Sequence, residues 1–482
     1  MKKGEQGLSA WQLTMLALGT VVGGSFFLGS AVAIRSAGPS ILISYVLGGL
    51  LVYIVLFALS EMTVADPSPG SFRTFAGQAF GPMASFVVGW VYWTGLVLAM
   101  SSEATAVSIF LRAWFPGLSV AMLGALVIIA VSLLNLLGAD RLSKLESGLA
   151  IVKLLAIVGF SVLGLALISG AFLNIPPVGM GALATEPLFP AGIGGIAGSM
   201  LIVMFTYAGF EVIGLAASEA RQPHKTVPRA ITLTVVGLVG LYILAVAVVL
   251  PLIPTGLLTA EESLFVAALR RWGLGWAGTA INLVLISAIL STMLAAMFGL
   301  GRMIRSLAEE GHAPEWIKDR GDIPYRGILF SGAAMLVGLG LGFILPQQVY
   351  LFLVSSGGFA LLFSYTVILV THYKFRKIRG CPPRGNCQLP GFPYTSWFAA
   401  VGLTAIIASM PLIPGQAYGL LAGLILAGIY TGVYLLMKPG RKGTPARGDP
   451  AQAVFSPLRP QYEFSEEITG KESGEPAAKK EK

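Results

Sequence analysis

Apolar runs long enough to cross a bilayer recur along nearly the whole chain, and no other feature restricts its fold as much. They lie at about 11–34, 40–64, 84–111, 119–138, 147–170, 191–218, 228–252, 276–304, 327–345, 348–370, 396–413 and 416–437. A helix of about 20 apolar residues spans the hydrocarbon core and satisfies its own backbone hydrogen bonds there. The expected fold is therefore an all-α polytopic membrane protein with about 12 transmembrane helices. Charge supports this. Only 11% of the 482 residues are charged, against 55% hydrophobic, whereas an ordinary soluble domain carries roughly 25% charged residues. A soluble enzyme is excluded.

Orientation follows from the basic residues. With the N-terminus in the cytoplasm, all but five of the 32 Lys and Arg fall in cytoplasmic segments. Arg35, Arg112, Arg270 and Arg271 fall outside, and Lys153 falls within a span. That is the bias of the positive-inside rule, and an even number of spans puts the C-terminus inside as well. The net charge of +9 is thus a matter of topology, and no nucleic-acid partner is expected. The domain plan is a cytoplasmic N-terminus at 1–10, a transmembrane domain at 11–437 and a cytoplasmic tail at 438–482. The tail is rich in Lys, Glu, Gly and Pro and is expected to be disordered. The N-terminal MKKGEQGLSAWQL lacks a small-residue cleavage site, so no removed signal peptide is expected. Cys381 and Cys387 share one Pro-rich loop with no nearby His, and read as two unpaired thiols.

Two spans carry helix-weakening sequence at mid-membrane. The first holds Gly19-Thr20-Val21-Val22-Gly23-Gly24-Ser25. Each glycine costs about 1 kcal/mol against Ala inside a helix. The stretch either packs closely against a neighbour or unwinds, which is tolerated at membrane depth only where the backbone lines a cavity or is buried in protein. The sixth span holds Thr206-Tyr207-Ala208-Gly209-Phe210-Glu211, a carboxylate beside a glycine. If spans one to five (about 11–170) and six to ten (about 191–370) form a 5+5 inverted repeat, with two further helices at about 396–437, these breaks occupy corresponding positions. Paired discontinuities of that kind point to a secondary-transporter site at the repeat interface. Freed helix N-termini there face an anion and freed C-termini a cation, and an amino acid zwitterion supplies both.

Ionisable residues inside spans are expensive and mark function. Four stand out: Lys153, Glu103, Glu211 and, at a span end, Glu61. Lys153 either snorkels to the interface or serves the transport site. Glu103 is a carboxyl bonded to helix ends, a substrate-side residue or a proton relay. Glu211, just past the second break, is a clamp, a gate or a relay. Glu61 reads as a cytoplasmic-side salt bridge. Tyr207 and Phe210 flank the second break, as a lid over substrate or as packing. Trp90, Tyr92 and Trp93 form an aromatic cluster, packed or at the membrane interface.

The chain resembles amino acid permeases of the amino acid-polyamine-organocation superfamily, which share the LeuT-type fold. The likeness is carried by several elements in order. Gly38-Pro39 opens a span containing SYVLGGL that closes on Ser60-Glu61-Met62. Pro67-x-x-Gly70-Ser71-Phe72 and Phe80-Gly81-Pro82 lead into Gly89-Trp90-Val91-Tyr92-Trp93. FTYAGFEVIGLAASEARQPHKTVPRA and RMIRSLAEEGHAPEW follow. Two features depart from the family pattern. Gly23-Gly24-Ser25-Phe26-Phe27 stands where members carry Gly-(Thr/Ser)-Gly-(Leu/Ile)-Phe, and Leu294 stands where several carry Asn.

The resemblance implies a secondary active amino acid transporter of the cell membrane that works by alternating access, with broken helices one and six. It implies that Lys153, in helix five, fills the space taken by sodium in sodium-coupled relatives, so protons are the expected coupling ion. Ser291 and Thr292 fall near where those relatives place hydroxyl ligands; they accept from the Lys153 amine or bond back to their own helix. The substrate carboxylate is expected on the amides of Val22, Gly23, Gly24 and Ser25, and its ammonium on carbonyls of Thr206, Tyr207 and Ala208, with Gly209, Phe210 and Glu103 beside them. Glu103 leaves room for a cationic amino acid or an amine. Alternatives left open are an ion-independent amino acid exchanger, a polyamine or amine transporter, and a channel. An enzyme is not expected. No nucleophile cluster, metal-ligand set or phosphate loop occurs, and His224, His312 and His372 are scattered. No cofactor or metal is implied.

Overall fold

The computed structural model describes residues 8–65, 71–172, 175–211, 213, 220, 222–319, 321, 323–341, 349–380 and 388–437. Cys381, Cys387 and the tail at 438–482 lie outside them. Among the described residues the structure is helical, apart from one isolated bridge between Leu8 and Ala220.

The first membrane segment is two helices, not one. α1 (Ala10–Val21) starts on a capping box in which Ser9 and Gln12 bond each other's backbone. It stops at Val22, whose backbone is extended. A five-residue π-helical stretch, Ser25–Gly29, then leads into α2 (Ser30–Ala37). There follow α3 (Ile41–Ala65), the short α4 (Ser71–Phe80), α5 (Pro82–Leu111), α6 (Val120–Asn135) and α7 (Ala139–Ser169). The second half repeats this order. α8 (Gly192–Thr206) ends in a break and is followed by α9 (Pro223–Leu252), the short α10 (Leu264–Arg271), α11 (Gly275–Glu309), α12 (Tyr325–Gly340) and α13 (Val349–Arg379). α6 and α12 each have 16 residues, and α7 and α13 each have 31. Five spans per half is an odd number, so the second half re-enters the membrane in the opposite sense. α14 (Tyr394–Ser409) and α15 (Ala417–Met437) complete the chain of described helices.

Eight apolar stretches are long enough to cross a membrane, Ser25–Ala65 counting as one, and α1, α6, α8 and α12 are shorter apolar helices. Burial sorts them. The spanning part of α13 is 78% buried and that of α15 only 6%. The exposed apolar side chains, such as Leu126, Leu155, Val236, Leu283 and Val337, are the surface that lipid covers. At the centre α5 lies directly on α13. A Cβ added at Gly95 would come 2.4 Å from that of Ala360, an approach that only a glycine allows.

Several boundaries differ from those read by hydropathy. The expected span at 348–370 continues as helix to Arg379, because a helix needs apolar residues only while inside the membrane. Within the expected span at 191–218 the helix is interrupted after Thr206, where the turn of the second break begins; 212 and 214–218 lie outside the described residues. The loop helices α4 and α10 are too polar or too short to register as spans.

Candidate functional site

The break after α1 frees backbone groups at both of its ends. Val22 and Gly23 leave the helix, so the carbonyls of Gly19 and Val22 lose helical partners on one side and the amides of Gly24 and Ser25 on the other. Each end is met by the charge that the helix dipole favours. Lys153 reaches in from α7 and donates to the Gly19 carbonyl, to the Val22 carbonyl at 3.2 Å and to Thr292 Oγ1 at 3.1 Å. Thr292 Oγ1, on α11, is itself 3.1 Å from the Val22 carbonyl oxygen and 3.3 Å from that of Ala288. Glu103 reaches in from α5, and its two oxygens accept from the Gly24 amide at 2.6 Å and the Ser25 amide at 3.0 Å. Lys153 and Glu103 are buried. Glycine is required opposite Glu103: a Cβ at Gly24 would lie 2.7 Å from Oε2, and one at Gly23 would lie 3.2 Å from it.

The second break sits against the first. After Thr206 the chain turns, and Gly209, with φ +102°, presses its backbone on that of Thr20, whose carbonyl oxygen is 3.0 Å from where a Cβ would be. Thr20 Oγ1 donates to the Gly209 carbonyl at 3.2 Å. Glu211 caps this turn. It accepts from the Gly209 amide at 3.1 Å, from Tyr92 Oη of α5 at 2.9 Å and from Tyr365 Oη of α13 at 3.3 Å.

Aromatic rings close over the two breaks. Tyr207, Tyr45 and Tyr242 pack together, and Phe26 stacks on Tyr242 with centroids 3.9 Å apart. Phe265 of α10 adds to Phe26 and Phe27 from the loop side. Two of the hydroxyls are spent on backbone, Tyr242 donating to the Thr206 carbonyl at 3.2 Å and Tyr207 to the Tyr45 carbonyl at 3.0 Å, while that of Tyr45 pairs with Ser30 Oγ at 2.6 Å. At the basic end of the bundle two ion clusters tie helices together, the one around Glu61 buried and the one around Arg73 partly exposed through Glu310. Glu61 meets His372 at 2.6 Å, Arg376 at 3.1 Å and the amides of Gln388 and Leu389 at 2.5 and 2.6 Å. Arg73 of α4 meets both oxygens of Glu310 at 2.5 and 2.7 Å.

The family-model comparison matches the chain over residues 12–441 to the amino acid permease family. This chain belongs to the amino acid permease family. It is 33% identical over 447 residues to an uncharacterised amino acid permease of Bacillus subtilis, covering 89% of this chain and 94% of that one. It is 32% identical to a γ-aminobutyric acid permease of Escherichia coli, covering 90% and 94%. It is 30% identical to an L-asparagine permease of Streptomyces coelicolor, covering 84% of each.

Among the residues singled out from the sequence of this permease, Val22, Gly23, Gly24, Ser25, Glu103, Lys153, Thr292, Thr206 and Gly209 meet around the joined breaks. Tyr207 lies beside them in the aromatic cluster, and Ala208 lies in the turn between. Phe210 turns away toward Tyr365, 4.9 Å between ring centroids, and so stands with Glu211. Ser291 Oγ is buried with no hydrogen-bond partner among the described residues; of the two hydroxyls only that of Thr292 serves Lys153. Trp90 and Trp93 donate to the His312 carbonyl and to Ser331 Oγ and act as packing. The sequence reading missed Phe26, Tyr45, Tyr242, Phe265 and Tyr365. The signal available was a tyrosine alone in an apolar span, whose hydroxyl must find a partner.

Proposed function

We propose that this permease is a secondary active transporter that carries an amino acid across the cell membrane in symport with protons, by alternating access, with both termini cytoplasmic. The observation that carries this reading is the pair of opposite charges held at the two ends of one helix break, Lys153 on carbonyls and Glu103 on amides. A zwitterion needs the same two kinds of backbone end. The relatives named for γ-aminobutyric acid and asparagine take substrates with one amine and one carboxylate, which supports a neutral amino acid here.

In this reading the substrate carboxylate meets the amides between Val22 and Ser25, and its ammonium meets carbonyls between Thr206 and Ala208, under the lid of Tyr207. Glu211 with Phe210 forms a gate on the cytoplasmic side. Lys153 is the switching group. As an ammonium it makes charge-assisted bonds, about twice as strong as neutral ones, that tie α1, α7 and α11 together. As a neutral amine it holds the end of α1 less tightly, and the helix is free to tilt. Uptake of L-alanine, L-asparagine and γ-aminobutyrate into proteoliposomes, with and without an inward proton gradient, tests the reading. Accumulation only with the gradient is expected. Counterflow without any gradient-driven accumulation and without proton movement would make the protein an ion-independent exchanger.

A further inference from the structure

The amides to which the proposed function assigns the substrate carboxylate are already occupied, by a side chain of the protein itself. Each oxygen of Glu103 takes one amide, Gly24 at 2.6 Å and Ser25 at 3.0 Å, the arrangement that an amino acid carboxylate would adopt. The space admits one carboxylate. The Cβ positions of Gly23 and Gly24 fall 3.2 and 2.7 Å from Oε2, and the Gly24 position also meets Ile289 Cδ1 at 3.0 Å and Ala106 Cβ at 3.1 Å. A second anion brought beside the first would also be repelled by it.

We propose that Glu103 is an intramolecular competitor for the substrate carboxylate, so that a carboxylate-bearing ligand enters only by displacing it from the amides of Gly24 and Ser25. This rests on the reading of the helix-one break as the substrate site. A second observation supplies a donor for the displaced carboxylate beside the same stretch of helix. The hydroxyl of Tyr350, on α13, is buried with no hydrogen-bond partner among the described residues. It borders the same π-helical stretch, 3.3 Å from where a Cβ of Gly29 would be. The surroundings of the π-helical stretch thus hold, among the described residues, a donor that the resting protein does not use, and the displaced Glu103 carboxylate is the group that takes it.

The consequence is a selectivity rule. Exchanging one carboxylate for another on the same two amides gains little net hydrogen bonding, so the ligand carboxylate alone adds little affinity. Discrimination passes to the rest of the substrate, at the Thr206 turn and the ring cluster, and release is as easy as entry. Without Glu103 the amides are vacant, and the ligand carboxylate gains their full value.

The test is equilibrium binding to the full-length protein in lipid nanodiscs. The probes are L-alanine, L-asparagine and γ-aminobutyrate, beside L-alaninamide and 4-aminobutanamide, which lack the carboxylate. Glu103→Gln keeps the side-chain volume but places an NH2 against one of the two amides. The carboxylate probes are expected to bind it about tenfold tighter than wild type, the scale of one hydrogen bond to a charged group, with the amide probes moving less than about twofold. Unchanged or weaker carboxylate-probe binding, or an equal shift for both kinds of probe, overturns the proposal. If wild type transports the probes and Glu103→Gln fails to tighten, only this inference falls. If no carboxylate probe binds either form, the function proposed above falls with it. Should the variant not fold, isotope-edited infrared difference spectra of wild type labelled with 13C-glutamate decide the matter. A carboxylate probe must shift one buried glutamate band and an amide probe must leave it; no shift overturns the proposal.

Discussion

Replacing Gly24 by alanine tests the geometry of the break with one methyl group. The new Cβ would sit 2.7 Å from Glu103 Oε2, 3.0 Å from Ile289 Cδ1 and 3.1 Å from Ala106 Cβ, all inside the ordinary van der Waals contact of about 3.5–4.0 Å. Ile289 is on α11 and Ala106 on α5, so the methyl is pinched between two packed helices. The softest neighbour is the Glu103 carboxylate, which must leave at least the Gly24 amide. Overpacking costs about 1–3 kcal/mol, and a lost hydrogen bond to a charged group costs about 1.5–3 kcal/mol. A loss of about 3–5 kcal/mol is therefore expected, against a gain of up to about 1 kcal/mol from the better helix propensity of Ala. The assay is thermal unfolding of the purified protein followed by intrinsic fluorescence. Gly237→Ala on α9 is the control, because nothing lies within 4 Å of its would-be Cβ. The expected result is a clearly lower midpoint for Gly24→Ala, with Gly237→Ala equal to or above wild type. Equal midpoints for the two variants would refute the claim that the carboxylate fills the space beside Gly24.

Other perturbations read other parts of the account. Glu61→Ala leaves His372, Arg376 and the Gln388 and Leu389 amides without their shared acceptor. Breaking a buried pair from one side costs about 3–5 kcal/mol, so the yield of folded protein by size exclusion should collapse, and a normal yield would count against the Glu61 cluster as a tie between helices. Tyr242→Phe removes the donor to the Thr206 carbonyl and keeps the ring stacked on Phe26. It should cost only about 1 kcal/mol in stability while changing the KM for uptake, because the freed carbonyl belongs to the proposed ammonium site; an unchanged KM would remove Thr206 from that site.

The membrane segments were legible because apolarity over about 20 residues is a nearly sufficient condition for a span. The break in the first segment was legible because Gly19, Gly23 and Gly24 weaken a helix whatever surrounds them. Lys153 was conspicuous as a charge where a charge is costly. What the sequence could not show is which freed group each charge meets. Glu103 reaches the amides of Gly24 and Ser25 only because α5 crosses the break at that depth, a fact of packing between residues some eighty positions apart. Its three open readings, a carboxyl at helix ends, a substrate contact and a relay, therefore looked alike. The same holds for Glu211, whose partners Tyr92 and Tyr365 come from α5 and α13. The Phe26–Tyr242 stack escaped notice because an aromatic in an apolar span has no periodicity of its own. Helix ends were misjudged where hydropathy and helicity part company, as at Arg379, where a basic last turn extends α13 beyond the apolar run.

The central claim is that Lys153 couples the break in helix one to the proton gradient. Wild type and Lys153→Ala, reconstituted in proteoliposomes, should be compared for uptake of L-alanine, L-asparagine and γ-aminobutyrate under an inward proton gradient, and for counterflow without one. The account predicts that wild type accumulates substrate and acidifies the lumen, whereas Lys153→Ala still exchanges substrate but accumulates none. Gradient-driven accumulation by Lys153→Ala at the wild-type level would contradict it.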